Sequence, residues 1–181
     1  LPEVGTPMVE YNLPEGWRGI LFSRWSIFFQ QVSPINKDGL KGLEMFRQTA
    51  KRHQRKLTIA ALSGRETYKH EATKQRLPKS GHMEYFSDLH LNQGTRSSVW
   101  KESVVRRLTQ EGLNVVHIDD DLRSGLCVAR VNKEYVDEER VLVYMMRNIS
   151  NHPRLLRRAG IEIPDNLVFV RSFKEAADDF A

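Results

Sequence analysis

The feature that most constrains the fold is an alternation of short apolar runs with segments whose apolar residues recur at helical spacing. The strand-like runs lie at 19–22, 57–62, 85–91, 115–118, 141–146 and 167–170. The segments between most of them place apolar residues three and four positions apart, which is typical of helices with one buried face. Strands that alternate with helices in this way predict an α/β domain with a mostly parallel sheet.

Start and stop signals support this division. Apolar residues at helical spacing and a basic end predict a helix over 40–50, followed by the basic run 51–56. Ser97 or Ser98 is expected to cap the next helix, which Gly112 ends and whose buried face is expected to carry Val99, Val104, Val105 and Leu108. Ser172 and Glu175 stand at capping-box spacing before the last helix.

The rest of the sequence limits the class of protein further. The 181 residues suit one domain, predicted over 19–181 and preceded by an extended arm at 1–18 rich in proline and glycine. No apolar run approaches the roughly 20 residues that a transmembrane helix needs. The single cysteine, Cys127, cannot form an internal disulfide, which indicates a reducing, intracellular compartment. A chain that starts at Leu1 rather than Met predicts a processed N-terminus and allows an organellar location.

Polar residues follow the predicted strands or open the helices between them. Ser63, Gly64 and Arg65 come directly after the second run, Lys101 lies in the helix before 115–118, and Asp119, Asp120 and Asp121 end that strand. A hydroxyl at a helix N-terminus can hold a phosphate oxygen, and a lysine can neutralise phosphate charge. Carboxylates at a strand end can hold Mg²⁺.

This order resembles the haloacid dehalogenase superfamily over roughly residues 19–130. The resemblance implies a three-layer, Rossmann-like fold with a mostly parallel central sheet, essentially capless because no large insertion follows the first strand. It implies that Ser63, Gly64 and Lys101 bind a phosphoryl group. It also implies that Asp120 and Asp121 hold Mg²⁺, since Asp119 falls where the family usually has glycine.

The first motif of that family is missing from the sequence. Its first strand ends in Asp-x-Asp, whose two carboxylates attack phosphorus and protonate the leaving group. Here Ser23 stands at the nucleophile position and Trp25 at the acid position. A serine without an adjacent base is a poor nucleophile, and tryptophan cannot act as an acid. Gly125 stands where many members carry a further acidic residue. We therefore assign no catalytic residue. Asp119 and Asp121 form an alternative Asp-x-Asp, but too little chain follows it.

The sequence thus predicts a catalytically degenerate domain that acts as an interaction or scaffold subunit, with no cofactor. The competing hypothesis is a Mg²⁺-dependent phosphomonoester phosphatase with an atypical first motif. A third hypothesis is a module that binds a phosphate ligand without cleaving it. We expect protein partners in a larger assembly and no membrane.

Charge gives the remaining indication of partners. Lys and Arg number 28 against 23 Asp and Glu, a net charge of +5 that permits contact with RNA phosphates. His152, Arg154, Arg157 and Arg158 fall on one predicted helix and can form a phosphate-contacting face. An RNA–protein assembly such as an organellar ribosome is therefore one expected setting. The basic run 51–56 is interpreted as a solvated helix end.

Overall fold

The computed structural model describes residues 37–65, 67–79, 81–135, 139–148 and 151–180. The predicted arm at 1–18 and the predicted strand at 19–22, with Ser23 and Trp25, lie outside these residues. The described residues divide into two compact units. The C-terminal unit comprises residues 95–176, and the N-terminal unit comprises 37–94 together with 177–180.

The N-terminal unit pairs two short parallel strands and carries two helices. Its elements are α1 (Lys37–Arg52), β1 (Ala60–Ser63), a 3₁₀ turn (Thr67–Lys69), α2 (His70–Lys79), a second 3₁₀ turn (His82–Glu84) and β2 (Asp88–Leu91). Strand β1 lies parallel to β2, with Ala60 opposite Asp88. Helix α1 buries Leu43, Phe46 and Ala50, as their spacing predicts. The Phe46 ring contacts Phe180 at 5.1 Å between centroids.

The C-terminal unit is built on a three-stranded parallel sheet. Its elements are α3 (Ser97–Gln110), β3 (Val115–Asp119), α4 (Leu122–Arg130), a 3₁₀ turn (Val131–Glu134), β4 (Val141–Met146), α5 (Pro153–Arg158) and β5 (Leu167–Val170), with α6 (Phe173–Asp179) beginning in this unit. The strand order is β3-β4-β5, and every neighbouring pair is parallel. Helices therefore cross between successive strands, as a parallel sheet requires.

One apolar core holds the C-terminal unit together. It joins the inner face of α4 to the central strand β4 and includes Val105 from α3 and Leu167 from β5. Strand β4 is buried almost throughout, which is why its sequence is a continuous apolar run rather than an alternation. The prediction of strands at 141–146 and 167–170 is confirmed residue for residue.

Three details differ from the sequence predictions. Val99 is 54% exposed, and Trp100 takes its place on the buried face of α3. That helix begins at Ser97 itself, with Arg96 at the N-cap position and no side-chain cap. Strand β1 begins at Ala60 rather than at residue 57, because pairing with the four-residue β2 sets its length. Periodicity alone cannot resolve such shifts of one to three residues.

The predicted α/β class with parallel strands is confirmed, and the described strands form two sheets. This arrangement is compatible with a Rossmann-like three-layer fold. In the described parts of the chain, no helix combines the length and apolar character needed to cross a bilayer.

Candidate functional site at the end of strand β3

A buried ionic cluster lies at the carboxyl end of β3. His117 and Asp119 are two residues apart on this strand, so their side chains point to the same face, and both are buried. Lys101, near the start of α3, places its Nζ 2.7 Å from Asp119 Oδ2. His117 Nε2 lies 2.9 Å from the same oxygen. One carboxylate oxygen therefore receives both groups.

The charges in this cluster determine the state of Asp119. Burial alone would raise the pKa of its carboxyl, because the interior solvates an anion poorly. The hydrogen bond from His117 and the positive charge of Lys101 outweigh burial and hold the pKa of Asp119 well below its usual range. The side chains of Lys101 and Asp119 are only 11% and 5% exposed. Lys101 is thus committed to neutralising a carboxylate within its own unit.

The other oxygen of Asp119 organises the turn that follows β3. Its Oδ1 accepts the backbone N–H groups of Asp120 and Asp121 at 2.9 and 3.1 Å. Asp121 in turn is the N-cap of α4, and its carboxylate accepts from the backbone of Arg123 and from the backbone and hydroxyl of Ser124. The acidic cluster therefore acts as a set of hydrogen-bond acceptors that ends β3 and starts α4.

Two asparagines fasten this turn to the segment after β4. The carbonyl oxygen of Asp120 accepts Nδ2 of Asn148 at 3.0 Å and Nδ2 of Asn151 at 3.2 Å. Asn151 is fully buried, donates also to Met146 O, and exchanges two hydrogen bonds with Asn148. Neither residue is predicted as a site residue from the sequence. Their position directly after an apolar strand, in a polar segment, was the available signal.

Gly125 has a packing reason for being glycine. It lies in α4 against the sheet, and a Cβ built there would overlap Cε of Met145, which is fully buried. An acidic side chain at this position would have to enter the core between α4 and β4. The departure from the haloacid dehalogenase pattern at Gly125 is thus accompanied by close helix–sheet packing.

The predicted metal ligands have different surroundings. Asp120 is exposed, and its carboxylate pairs with no residue in the described part of the chain, whereas Asp121 caps α4. Within the described ranges, no group of three or more His, Cys, Asp or Glu side chains is placed to hold a metal ion. As arranged, these carboxylates do not fit a divalent cation. The magnesium site stays a prediction. To bind Mg²⁺ there, Asp121 would have to give up its hydrogen bonds to the start of α4, and further ligands would have to come from other residues.

The predicted phosphate-binding residues fall in both units. Ser63 ends β1 and Gly64 follows it in the N-terminal unit, while Lys101 belongs to the C-terminal unit. Asn92, which is not predicted from the sequence either, has a buried side chain. Its Nδ2 donates to Gly64 O at 3.2 Å, and its backbone N–H donates to Ser63 O at 3.1 Å. These bonds hold the turn after β1 against the end of β2.

Comparison with known proteins adds no identification. No family model matches the chain, and no curated protein matches it in sequence. The chemistry of the site therefore rests on its own geometry. That geometry offers a neutralised carboxylate, a committed lysine and one exposed carboxylate at the end of β3.

Proposed function

We propose that this chain is a haloacid dehalogenase-like α/β domain that does not transfer phosphoryl groups and serves as an interaction subunit of a larger RNA–protein assembly. The single observation that carries the proposal is the ion pair between Lys101 and Asp119. It joins the lysine and the acidic strand end that the resemblance singles out, and it leaves neither group available for a substrate.

The loss of catalysis is supported by what each group already binds. Asp119 accepts from Lys101, His117 and two backbone N–H groups, so it is a weak nucleophile and a poor metal ligand. Asp121 is held by the start of α4. In the sequence, Ser23 and Trp25 replace the carboxylates that would attack phosphorus and protonate the leaving group.

Hydrolysis of p-nitrophenyl phosphate with Mg²⁺ tests the catalytic part. We expect the wild-type chain to release nitrophenol no faster than buffer. The matched variants are Asp120→Asn, which removes the exposed carboxylate, and Glu111→Gln, which removes an exposed carboxylate at the end of α3. If the wild type hydrolyses the substrate, Asp120→Asn abolishes the activity and Glu111→Gln retains it, the phosphatase hypothesis replaces this proposal.

Purification from the source cells at native abundance tests the assembly part. We expect the chain to migrate in size-exclusion chromatography as part of a stoichiometric complex that absorbs at 260 nm. Ribonuclease treatment should reduce the size of that complex. A monodisperse monomer without nucleic acid would contradict the subunit role, whatever the outcome of the hydrolysis assay.

A further inference from the structure

The arginines of α5 form an exposed cationic face, and the nearest acidic residue in sequence is Glu162, four positions after Arg158. Residues 140–161 contain Arg140, Arg147, Arg154, Arg157 and Arg158 but no Asp or Glu. Arg154, Arg157 and Arg158 are exposed and three and four positions apart, so they lie on one side of α5. Leu156, on the other side, is buried in the unit. We call these three residues the α5 arginine face.

Within the described residues, several other arginines of the C-terminal unit are paired with carboxylates, unlike these three. On α3, Arg106 binds Glu102 and Glu134 at 2.8 and 2.7 Å, and Arg107 lies 4.0 Å from Glu111. Arg171 binds Glu175 at 3.3 Å. The side chains of the α5 arginine face make no ion pair or hydrogen bond to any residue within the described ranges. Among the described residues, their charge is therefore not compensated.

Helix stability does not account for all three. Arg157 and Arg158 lie in the last turn, where a cation interacts favourably with the helix dipole. Arg154 lies in the first turn, where a cation is unfavourable, and no acidic residue offsets it there. Interaction with the helix dipole therefore explains Arg157 and Arg158 but not Arg154.

We propose that the α5 arginine face binds the phosphate backbone of RNA without reading its sequence; this inference rests on the proposed subunit role and names the surface involved. The Cβ atoms of neighbouring residues on one helix face are about 5–6 Å apart. Each guanidinium group can donate two parallel hydrogen bonds to one phosphate group. Helix α5 carries no aromatic residue on which a base could stack, so recognition is limited to the backbone.

Two other anionic partners suit this face less well. A membrane-bound helix needs a broad apolar face that enters the lipid, but Leu156 of α5 is buried and only Leu155 is exposed. Arginine clusters also bind acidic peptide motifs, but Leu155 is the exposed large apolar residue of α5, which leaves little apolar surface to anchor a peptide. RNA requires only the row of cations.

Fluorescence anisotropy with labelled oligouridine of about 20 nucleotides tests the inference, because each phosphate contact contributes about −0.7 to the slope of log affinity against log salt. The full chain should bind with clear salt dependence. The triple variant Arg154→Gln, Arg157→Gln, Arg158→Gln should bind more weakly, with a slope shallower by about two. The triple Arg→Lys variant should keep most of the slope, since its charge is unchanged.

A matched control removes three charges elsewhere. Lys51 and Arg52 end α1 and Lys56 follows it, and all three are exposed. Replacing all three with Gln should leave the slope nearly unchanged. An equal effect of this control would overturn the inference, because net charge rather than α5 would then govern binding. Circular dichroism checks the fold of each variant. If a triple variant unfolds, single Arg→Gln variants replace it, and each should make the salt dependence shallower by about 0.7.

The same variants separate the partner classes. Vesicles of anionic phosphatidylserine and polyglutamate are titrated in parallel with the RNA. Loss of vesicle or polyglutamate binding in the α5 Gln variant, with RNA binding intact, would overturn the inference in favour of that partner. If the chain neither binds RNA nor hydrolyses phosphate esters, this inference is overturned and a subunit that binds only proteins remains. If the chain shows phosphatase activity, the proposed function is overturned, but the RNA result still decides this inference.

Discussion

At the residue scale, Asp119 is the group on which the end of β3 depends. Its carboxylate accepts two side chains through Oδ2 and two backbone N–H groups through Oδ1. A buried ion pair contributes little net stability when intact, because desolvation offsets the attraction. Removing one partner is costly, because the other charge then stays buried without compensation. Lys101 and Asp119 should therefore be strongly coupled in their effect on stability.

A double-mutant cycle measures this coupling. We expect Lys101→Met to destabilise the fold by about 3–5 kcal/mol, because it leaves the Asp119 carboxylate buried without its cation. Asp119→Asn keeps an oxygen for the backbone N–H groups and removes the charge. The double variant should thus be more stable than the sum of the single effects predicts, as measured by urea denaturation. Additive effects would show that the two side chains do not interact in the folded protein.

The lowered pKa of Asp119 predicts how stability changes in acid. A carboxyl whose pKa is lower in the folded state stabilises the fold fully above its unfolded pKa of about 3.9. That contribution is lost as the pH falls from there through the folded pKa. The free energy of unfolding should therefore begin to drop below about pH 5 and continue to drop as the pH falls toward the folded pKa, and Asp119→Asn should flatten the drop.

Other carboxyl groups provide the comparison for this acid limb. The pKa of Glu134 is lowered by its hydrogen bond to Arg106, but this pair is solvent-exposed and therefore screened. Glu134→Gln should leave the acid limb nearly as steep as in the wild type. If Glu134→Gln reduced the loss of stability in acid more than Asp119→Asn does, the acid sensitivity would come from surface carboxylates instead.

At the element scale, helix α4 is held against β4 through a glycine. Gly125→Ala gains helix propensity of up to about 1 kcal/mol but places a methyl group where Met145 Cε lies. The methionine end must move within a core where its side chain is fully buried. We expect a net loss of up to about 2 kcal/mol in the free energy of unfolding, since such overpacking costs roughly 1–3 kcal/mol.

A second substitution separates packing from propensity. Met145→Val removes the end of the methionine side chain, so alone it leaves a cavity and destabilises the fold. Combined with Gly125→Ala, it should cost less than the two single changes together, because the new methyl group fills part of that cavity. Additive losses in urea denaturation would instead indicate that the two sites are independent.

The elements also show how far local pattern predicts the fold. Strands β4 and β5 were predicted residue for residue, because buried parallel strands are continuous apolar runs with sharp ends. Val99 was predicted to be buried and is exposed, while Trp100 is buried beside it. Which of two adjacent apolar residues faces the core depends on how the helix is rotated against its neighbours. Tertiary packing sets that rotation, so the sequence pattern leaves it open.

The candidate site was predictable in outline but not in its pairings. The position of Lys101 and of the acidic cluster after β3 followed from their order in the sequence. The resemblance implies that Asp120 is the main metal ligand, yet the buried partner of Lys101 is Asp119. Side chains alternate along β3, so residues 117 and 119 lie on the same face of the strand. Asn92 and Asn151 were missed, since a buried asparagine looks like an ordinary loop residue until its carbonyl partners are known.

At the scale of the whole molecule, ligand binding to the folded chain should appear as a change in global stability. A phosphate-binding module would gain RT ln(1 + [L]/Kd), about 2.7 kcal/mol at a concentration 100 times Kd, and above Kd this gain grows with the logarithm of the phosphate concentration. Lys101 is neutralised by Asp119, and the backbone carbonyls of Ser63 and Gly64 accept hydrogen bonds from Asn92. We therefore expect inorganic phosphate to add no stabilisation beyond its general effect as an excluded salt.

Thermal unfolding in phosphate, with sulfate at matched ionic strength, distinguishes the two effects. Exclusion of either salt raises Tm gradually and similarly for both anions over the whole concentration range. A specific phosphate site would raise Tm at millimolar concentration, where exclusion is negligible, and sulfate would not reproduce the rise. Ser63→Ala should leave the phosphate curve unchanged relative to its own baseline. A millimolar rise specific to phosphate and lost in Ser63→Ala would favour the binding module, and it would do so even with the hydrolysis assay flat.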